Sequence, residues 1–100
     1  LHTGLATTVG YGPRFLHSTG QLHKGDGGHG LFVQLVSDAA EDVGIPDEAG
    51  QPAAGMGFNV LKKAQALGDA RALRAAHRRL IAFEVGTQPV AAIEQLAAQL

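Results

Sequence analysis

HGLFVQLVSD, residues 29–38, is the stretch on which the fold turns. Leu31, Phe32, Val33, Leu35 and Val36 form a nearly continuous apolar run, bounded by Gly30 and Asp38. Such a run reads as a strand buried on both faces, the kind that parallel sheets use. A second run, LIAFEV (80–85), is β-branched and aromatic and reads as another strand. Some forty residues separate them, far more than a hairpin turn requires. The pair is therefore expected to run parallel, with helical sequence making the crossover.

The flanking sequence supplies the helices. FNVLKKAQALGD (58–69) sets Phe58, Leu61, Ala64 and Ala66 against polar Lys62, Lys63 and Gln65. Gly68 is expected to close this helix, and Asp69 to cap a further one, ARALRAAHRRL (70–80). The basic end of that helix suits its dipole, and His2 and His77 read as surface residues. Thr87 and Pro89 start a last helix, in which Val90, Ile93, Ala97 and Leu100 recur at helical spacing. Upstream, GPRFLHSTGQLHKG (12–25) reads as the first helix. Pro13 suits its first position, His23 and Lys24 suit its last turn, and Gly25 suits the left-handed residue past its end. Gly20 inside it costs about 1 kcal/mol relative to Ala, which hints at a close approach. The expected order is helix-strand-helix-helix-strand-helix, an α/β layer of parallel strands flanked by helices. Two strands make a poor sheet, so further strands are expected outside this sequence or in a neighbouring chain.

Residues 1–12 show no clear period, although Thr7, Thr8, Val9 and Tyr11 favour extended backbone. The connection DAAEDVGIPDEAGQPAAG (38–55) is acidic and rich in proline and glycine. It reads as a loop with a short extended piece at VGIP, its carboxylates keeping it solvated. Loops of this length are often functional.

Composition narrows the function classes. One hundred residues with 45% apolar and 17% charged side chains describe one small globular domain or a piece of one. Leu1 in place of Met, and the apolar ending AAIEQLAAQL, suggest a fragment of a longer polypeptide. The formal net charge of −1 gives no electrostatic case for nucleic acid or an anionic membrane. Cysteine is absent, which removes disulfides, thiolate metal sites and cysteine nucleophiles. No apolar run approaches the roughly 20 residues of a membrane span, and the cytoplasm is the expected compartment.

Gly25, Gly27 and Gly30 spell G-x-G-x-x-G. A dinucleotide fingerprint must follow a strand and open a helix, so that the helix N-terminus can hold the phosphates. Here the glycines follow a helix and open a strand, which makes them a turn. No Gly-Lys-Ser or Gly-Lys-Thr follows, so a P-loop fails too.

The polar residues before the glycines carry more chemistry. On a helical wheel His17, Gln21 and Lys24 share one face at i, i+4 and i+7, with Arg14 at its edge. Arg and Lys pair with phosphate oxygens, the amide bonds hydroxyls, and His or Lys exchanges protons. The set suits a polar, anionic ligand; it reads equally as a solvated helix face. No metal site is expected, because His17 and His23 point in different directions with no carboxylate between them.

ATTVGYGPRFLHSTGQLHKG (6–25), then FVQL (32–35) and LKKAQALGDARALRAAHRR (61–79), resemble one family closely. They resemble the C-terminal end of the glucose-6-phosphate isomerase region of bacterial bifunctional transaldolase/glucose-6-phosphate isomerases. The likeness runs from about Leu5 to Val85. It implies a sugar-isomerase (SIS) fold of the flavodoxin-like kind, with residues 1–100 as the closing part of that domain. The implied reaction interconverts glucose 6-phosphate and fructose 6-phosphate through a cis-enediol, without metal or organic cofactor. The resemblance maps Lys24 onto the family's lysine that acts at the sugar ring oxygen. Phosphoglucose isomerases carry a glutamine seven positions earlier, where this chain has His17; Gln21 shares that face and Arg14 flanks it. The base glutamate, ring-opening histidine and phosphate loop of the family belong to upstream sequence. Related sequences continue KGG with Pro or Asn, whereas this chain has KGDGGHG, placing Asp26 near Lys24. Homo-oligomerisation is expected, since related isomerases often complete their sites across a dimer. The competing expectation is a non-catalytic SIS-type module for phosphosugar binding or assembly.

Overall fold

The computed structural model describes residues 4–12 and 23–99. The elements, in chain order, are β1 (Leu31–Ser37), β2 (Gly44–Ile45), β3 (Met56–Gly57), α1 (Phe58–Ala75), β4 (Arg79–Gly86) and α2 (Pro89–Ala98). The expected first helix, residues 13–24, lies outside the described residues except for its last two positions. His23 there forms a short turn with Lys24 and Gly25. Residues 4–12 carry no regular strand or helix.

The two long strands pair in parallel, Leu31 opposite Arg79, Val33 opposite Ile81 and Leu35 opposite Phe83. The chain is thus mixed α/β, with a helix between parallel strands as the apolar runs require. Register breaks at a bulge between Val36 and Ser37, where Asp38 N–H donates to Gly86 O at 2.8 Å. Gly86 closes β4 in the left-handed region, φ 65°. The second sheet is minimal: Gly44 and Ile45 pair antiparallel with Gly57 and Met56, realising the extended piece expected at VGIP.

The expected pair of helices is one continuous 18-residue helix. Gly68 costs about 1 kcal/mol in a helix interior, too little to stop a run dominated by Ala, Leu and Arg on either side. Asp69 is correspondingly no N-cap. The helix ends earlier than expected, at Ala75, in a Schellman geometry. His77 N–H donates to Arg74 O and Arg78 N–H to Leu73 O, each at 2.9 Å, with His77 at φ 58°. That turn frees Arg79 to begin β4. His77 is exposed, as expected.

Ala70 and Leu73 on α1 are the buried hydrophobic residues among those described. The inward side of α1 also carries Lys62, Gln65, Ala66 and Asp69, whereas Phe58 and Ala64, expected to point inward, are exposed. Gln34 explains this rotation: its Nε2 donates to Ala66 O at 3.0 Å, fixing α1 over the β1 face that bears Phe32, Gln34 and Val36. The opposite face holds Leu31, Val33, Leu35 and Ile81 at 42–59% exposure. A strand is buried on both faces only when a second layer covers it, and here these four residues remain open. In α2, Pro89 occupies the first helical position as expected. Its less exposed residues are Pro89, Ala92 and Leu96; Val90 and Ile93 of the expected apolar stripe point outward.

The acidic connection is built rather than merely solvated. Phe58 N–H donates to Val43 O at 2.9 Å, and Asn59 N–H to Asp42 Oδ1 at 3.0 Å. Asp42 thereby caps α1 from outside, supplying the negative charge that its first turn lacks. Asn59 holds Ala39 N–H, and Asp47 accepts from Gly55 N–H at 2.9 Å. A Cβ on Gly57 would collide with the Asp42 carboxylate.

Two consequences are measurable by chemical denaturation. Gly57→Ala pushes Asp42 off the helix end and is expected to cost about 1 kcal/mol. Asp42→Ala should cost a similar amount, and the double variant much less than the sum; full additivity would refute the coupling. His77→Gly relieves a left-handed side-chain residue and is expected to stabilise by about 0.5–1 kcal/mol; a loss of stability would contradict the Schellman assignment.

Candidate functional site

Of the four site residues expected from sequence, the described region contains Lys24; Arg14, His17 and Gln21 lie outside it. Lys24 sits seven residues before the strand start at Leu31, at the amino edge of the parallel sheet and beside the last turns of α1. Its ammonium lies 3.7 Å from Asp69 Oδ1, with the lysine side chain 31% exposed and the aspartate 15%. Its carbonyl accepts from Arg78 Nη2 at 3.0 Å. The turn is thus anchored both at the side chain and at the backbone, by contacts 45 and 54 residues away along the chain.

Asp26 does not pair with Lys24. Its Oδ2 accepts from Gly28 N–H at 2.8 Å and Gly30 N–H at 3.2 Å, folding the glycine run around one carboxylate. Glycine is needed at position 28, where φ is 88°; the left-handed residue is Gly28 rather than Gly25. Gly30 has a different reason: a Cβ there would press on the Phe32 ring, 3.1 Å away. The run leads directly into β1, and among the described residues it opens no helix, so it does not have the strand-to-helix order of a dinucleotide cradle.

Electrostatics follow the same contacts. The backbone N–H groups of Gly30 and then Gly28 hold the Asp26 carboxyl below its ordinary value, against opposition from desolvation and with weaker help from Arg78 and His29. The buried Nε of Arg78 has no hydrogen-bond partner, while Arg79 Nη2 donates to His29 O. His23 and Phe32 stack at a tilt, with ring centroids 5.0 Å apart. Among the described residues no group of three His, Asp or Glu is placed to hold a metal ion. No helix among them is long and apolar enough to cross a membrane.

Sequence reasoning missed Asp69 and Arg78 as partners of Lys24. The sequence read the Gly68–Asp69 pair as a helix break; only the persistence of α1 through it marks Asp69 as a residue held inside a helix.

A sizeable depression lies elsewhere. It measures about 600 Å³ and is lined by Val43, Phe58, Leu61 and Lys62 at the N-terminal end of α1. That is the carboxyl edge of the strands, where open α/β sheets usually bind ligands. Lys24 is not part of it. No family model, curated protein or solved structure matches the chain.

The Asp26 carboxylate sets a pH dependence. Its folded-state pKa is depressed, so its contribution is complete above the ordinary value of 3.8 and fades as pH falls through the lowered folded value. Asp26→Ala is expected to lower stability at neutral pH and to leave acid unfolding less steep in that window. An Asp26 side-chain NMR titration at the ordinary carboxylate value would contradict the turn geometry.

Proposed function

We propose that the chain is part of a phosphosugar isomerase that interconverts glucose 6-phosphate and fructose 6-phosphate. On this reading it is the closing part of an SIS-type, flavodoxin-like layer, with Lys24 acting at the sugar ring oxygen. The observation that carries the reading is the block at residues 6–25, whose lysine is the residue on which the local polar contacts converge. The resemblance points to Lys24 by sequence alone; its ion pair with Asp69 and the bond from Arg78 to its carbonyl are compatible with a held cation. A catalytic cation must be held in place and still reached by substrate, and a one-third-exposed, doubly anchored lysine meets both requirements.

The chemistry assigned to this chain is limited. The Lys24 ammonium stabilises negative charge on, or donates a proton to, the ring oxygen as the sugar opens. Proton transfer between C2 and C1 falls to a base elsewhere in the protein, and neither Glu84 nor His77 is given that role. Because Lys24 lies at the amino edge of the sheet, the substrate would sit against this edge, in a site completed by the remainder of the domain or by a second subunit. His17, Gln21 and Arg14 are the further residues we propose to contact the phosphosugar.

A second reading has its own observation. The open apolar face formed by Leu31, Val33, Leu35 and Ile81 suits an assembly module that binds phosphosugar without turning it over. The two separate by kinetics. Lys24→Ala in the complete gene product is expected to lower kcat/KM on fructose 6-phosphate by about a hundredfold or more. Unchanged kcat/KM removes Lys24 from the chemistry. Wild-type protein that binds fructose 6-phosphate with no turnover favours the assembly reading.

A further inference from the structure

We infer that Asp69 is a positioning residue for Lys24; the inference rests on the isomerase reading and assigns that site a partner outside its own motif. Asp69 occupies the inward side of α1, with its side chain 15% exposed, and the Lys24 ammonium is its ion-pair partner at 3.7 Å. An aspartate in the middle of a helix directly after a glycine is locally unfavourable, because both residues favour non-helical backbone. Gly68 makes no close tertiary approach that would explain the pair, as a Cβ there would meet nothing within 4 Å. The tertiary contact the pair does provide is the carboxylate at Lys24. Meanwhile Arg78 Nη2 holds the Lys24 carbonyl, so the backbone of the turn stays fixed and the carboxylate governs where the side chain points. Asp26 is occupied by Gly28 and Gly30, which leaves Asp69 as the carboxylate bound to this lysine. A lysine has four rotatable bonds, and an electrostatic tether restricts where its ammonium dwells between encounters with substrate.

The distinction from a structural ion pair can be measured. The ion pair is long, 3.7 Å, its lysine is 31% exposed, and asparagine keeps the shape of the aspartate, so Asp69→Asn should change Tm little. With fructose 6-phosphate as substrate and the complete gene product as enzyme, Asp69→Asn is expected to lower kcat about tenfold at nearly constant KM. Asp69→Glu, which keeps the charge, is expected to recover a large part of that loss. If Lys24→Ala abolishes turnover while Asp69→Asn keeps wild-type kcat, the positioning role is overturned and the isomerase reading stands. If Asp69→Asn lowers Tm and kcat together and Asp69→Glu recovers neither, the residue is structural and the inference is again overturned. If Lys24→Ala retains full turnover, both fall.

Discussion

A parallel strand pair cannot be closed by a turn. Its second strand must begin at the same edge as its first, so the chain has to travel the length of the sheet and come back. The pairing of β1 with β4 imposes that journey here. The acidic connection and α1 make it, and the rest of the structure is arranged to let them do so. The loop after Ser37 crosses the carboxyl edge and starts α1 through Asp42; α1 runs back along the sheet; the left-handed His77 turns the chain into β4 at the amino edge.

That path also brings the Lys24 turn and the end of α1 together. Both precede a parallel strand, so both lie at the amino edge, and Asp69 and Arg78 become neighbours of a residue some fifty positions earlier. The proximity is a product of topology: any two segments that enter adjacent parallel strands share an edge. The same topology puts a sizeable depression at the opposite edge, beside Asp42 and Phe58. The protein therefore presents two chemically different ends, an anchored cation at one and a shallow apolar hollow at the other.

The core is small, and its size has a physical origin. Two strands offer one helix a narrow platform, so α1 buries Ala70 and Leu73 and keeps polar groups such as Gln65 and Asp69 partly covered. The radius of gyration, 15.9 Å, exceeds the roughly 13 Å of a closed domain of this length. Apolar residues at Leu31, Val33 and Ile81 remain open on the far side of the sheet. Polar contacts at the loop, the glycine turn and the helix ends accordingly define much of the geometry that a larger core would otherwise set.

The strands, their parallel sense, the extended piece at VGIP and Pro89 at the start of α2 were legible in the sequence, because each depends on local pattern or on separation along the chain. Local rules failed where neighbours outweighed them. Gly68 and Asp69 read as a break, yet the helix continues, because a cost near 1 kcal/mol is smaller than that of abandoning several turns of good helix formers. The inward face of α1 could not be read from its apolar residues, since Gln34 fixes its rotation through a backbone carbonyl. Asp26 lies two residues from Lys24 in sequence, but the turn aims its carboxylate at its own backbone. Sequence by itself determined the two long strands and the helical character of the segments that follow them. Only the tertiary structure decided which carboxylate meets Lys24, because the contact is made across a crossover rather than along the chain.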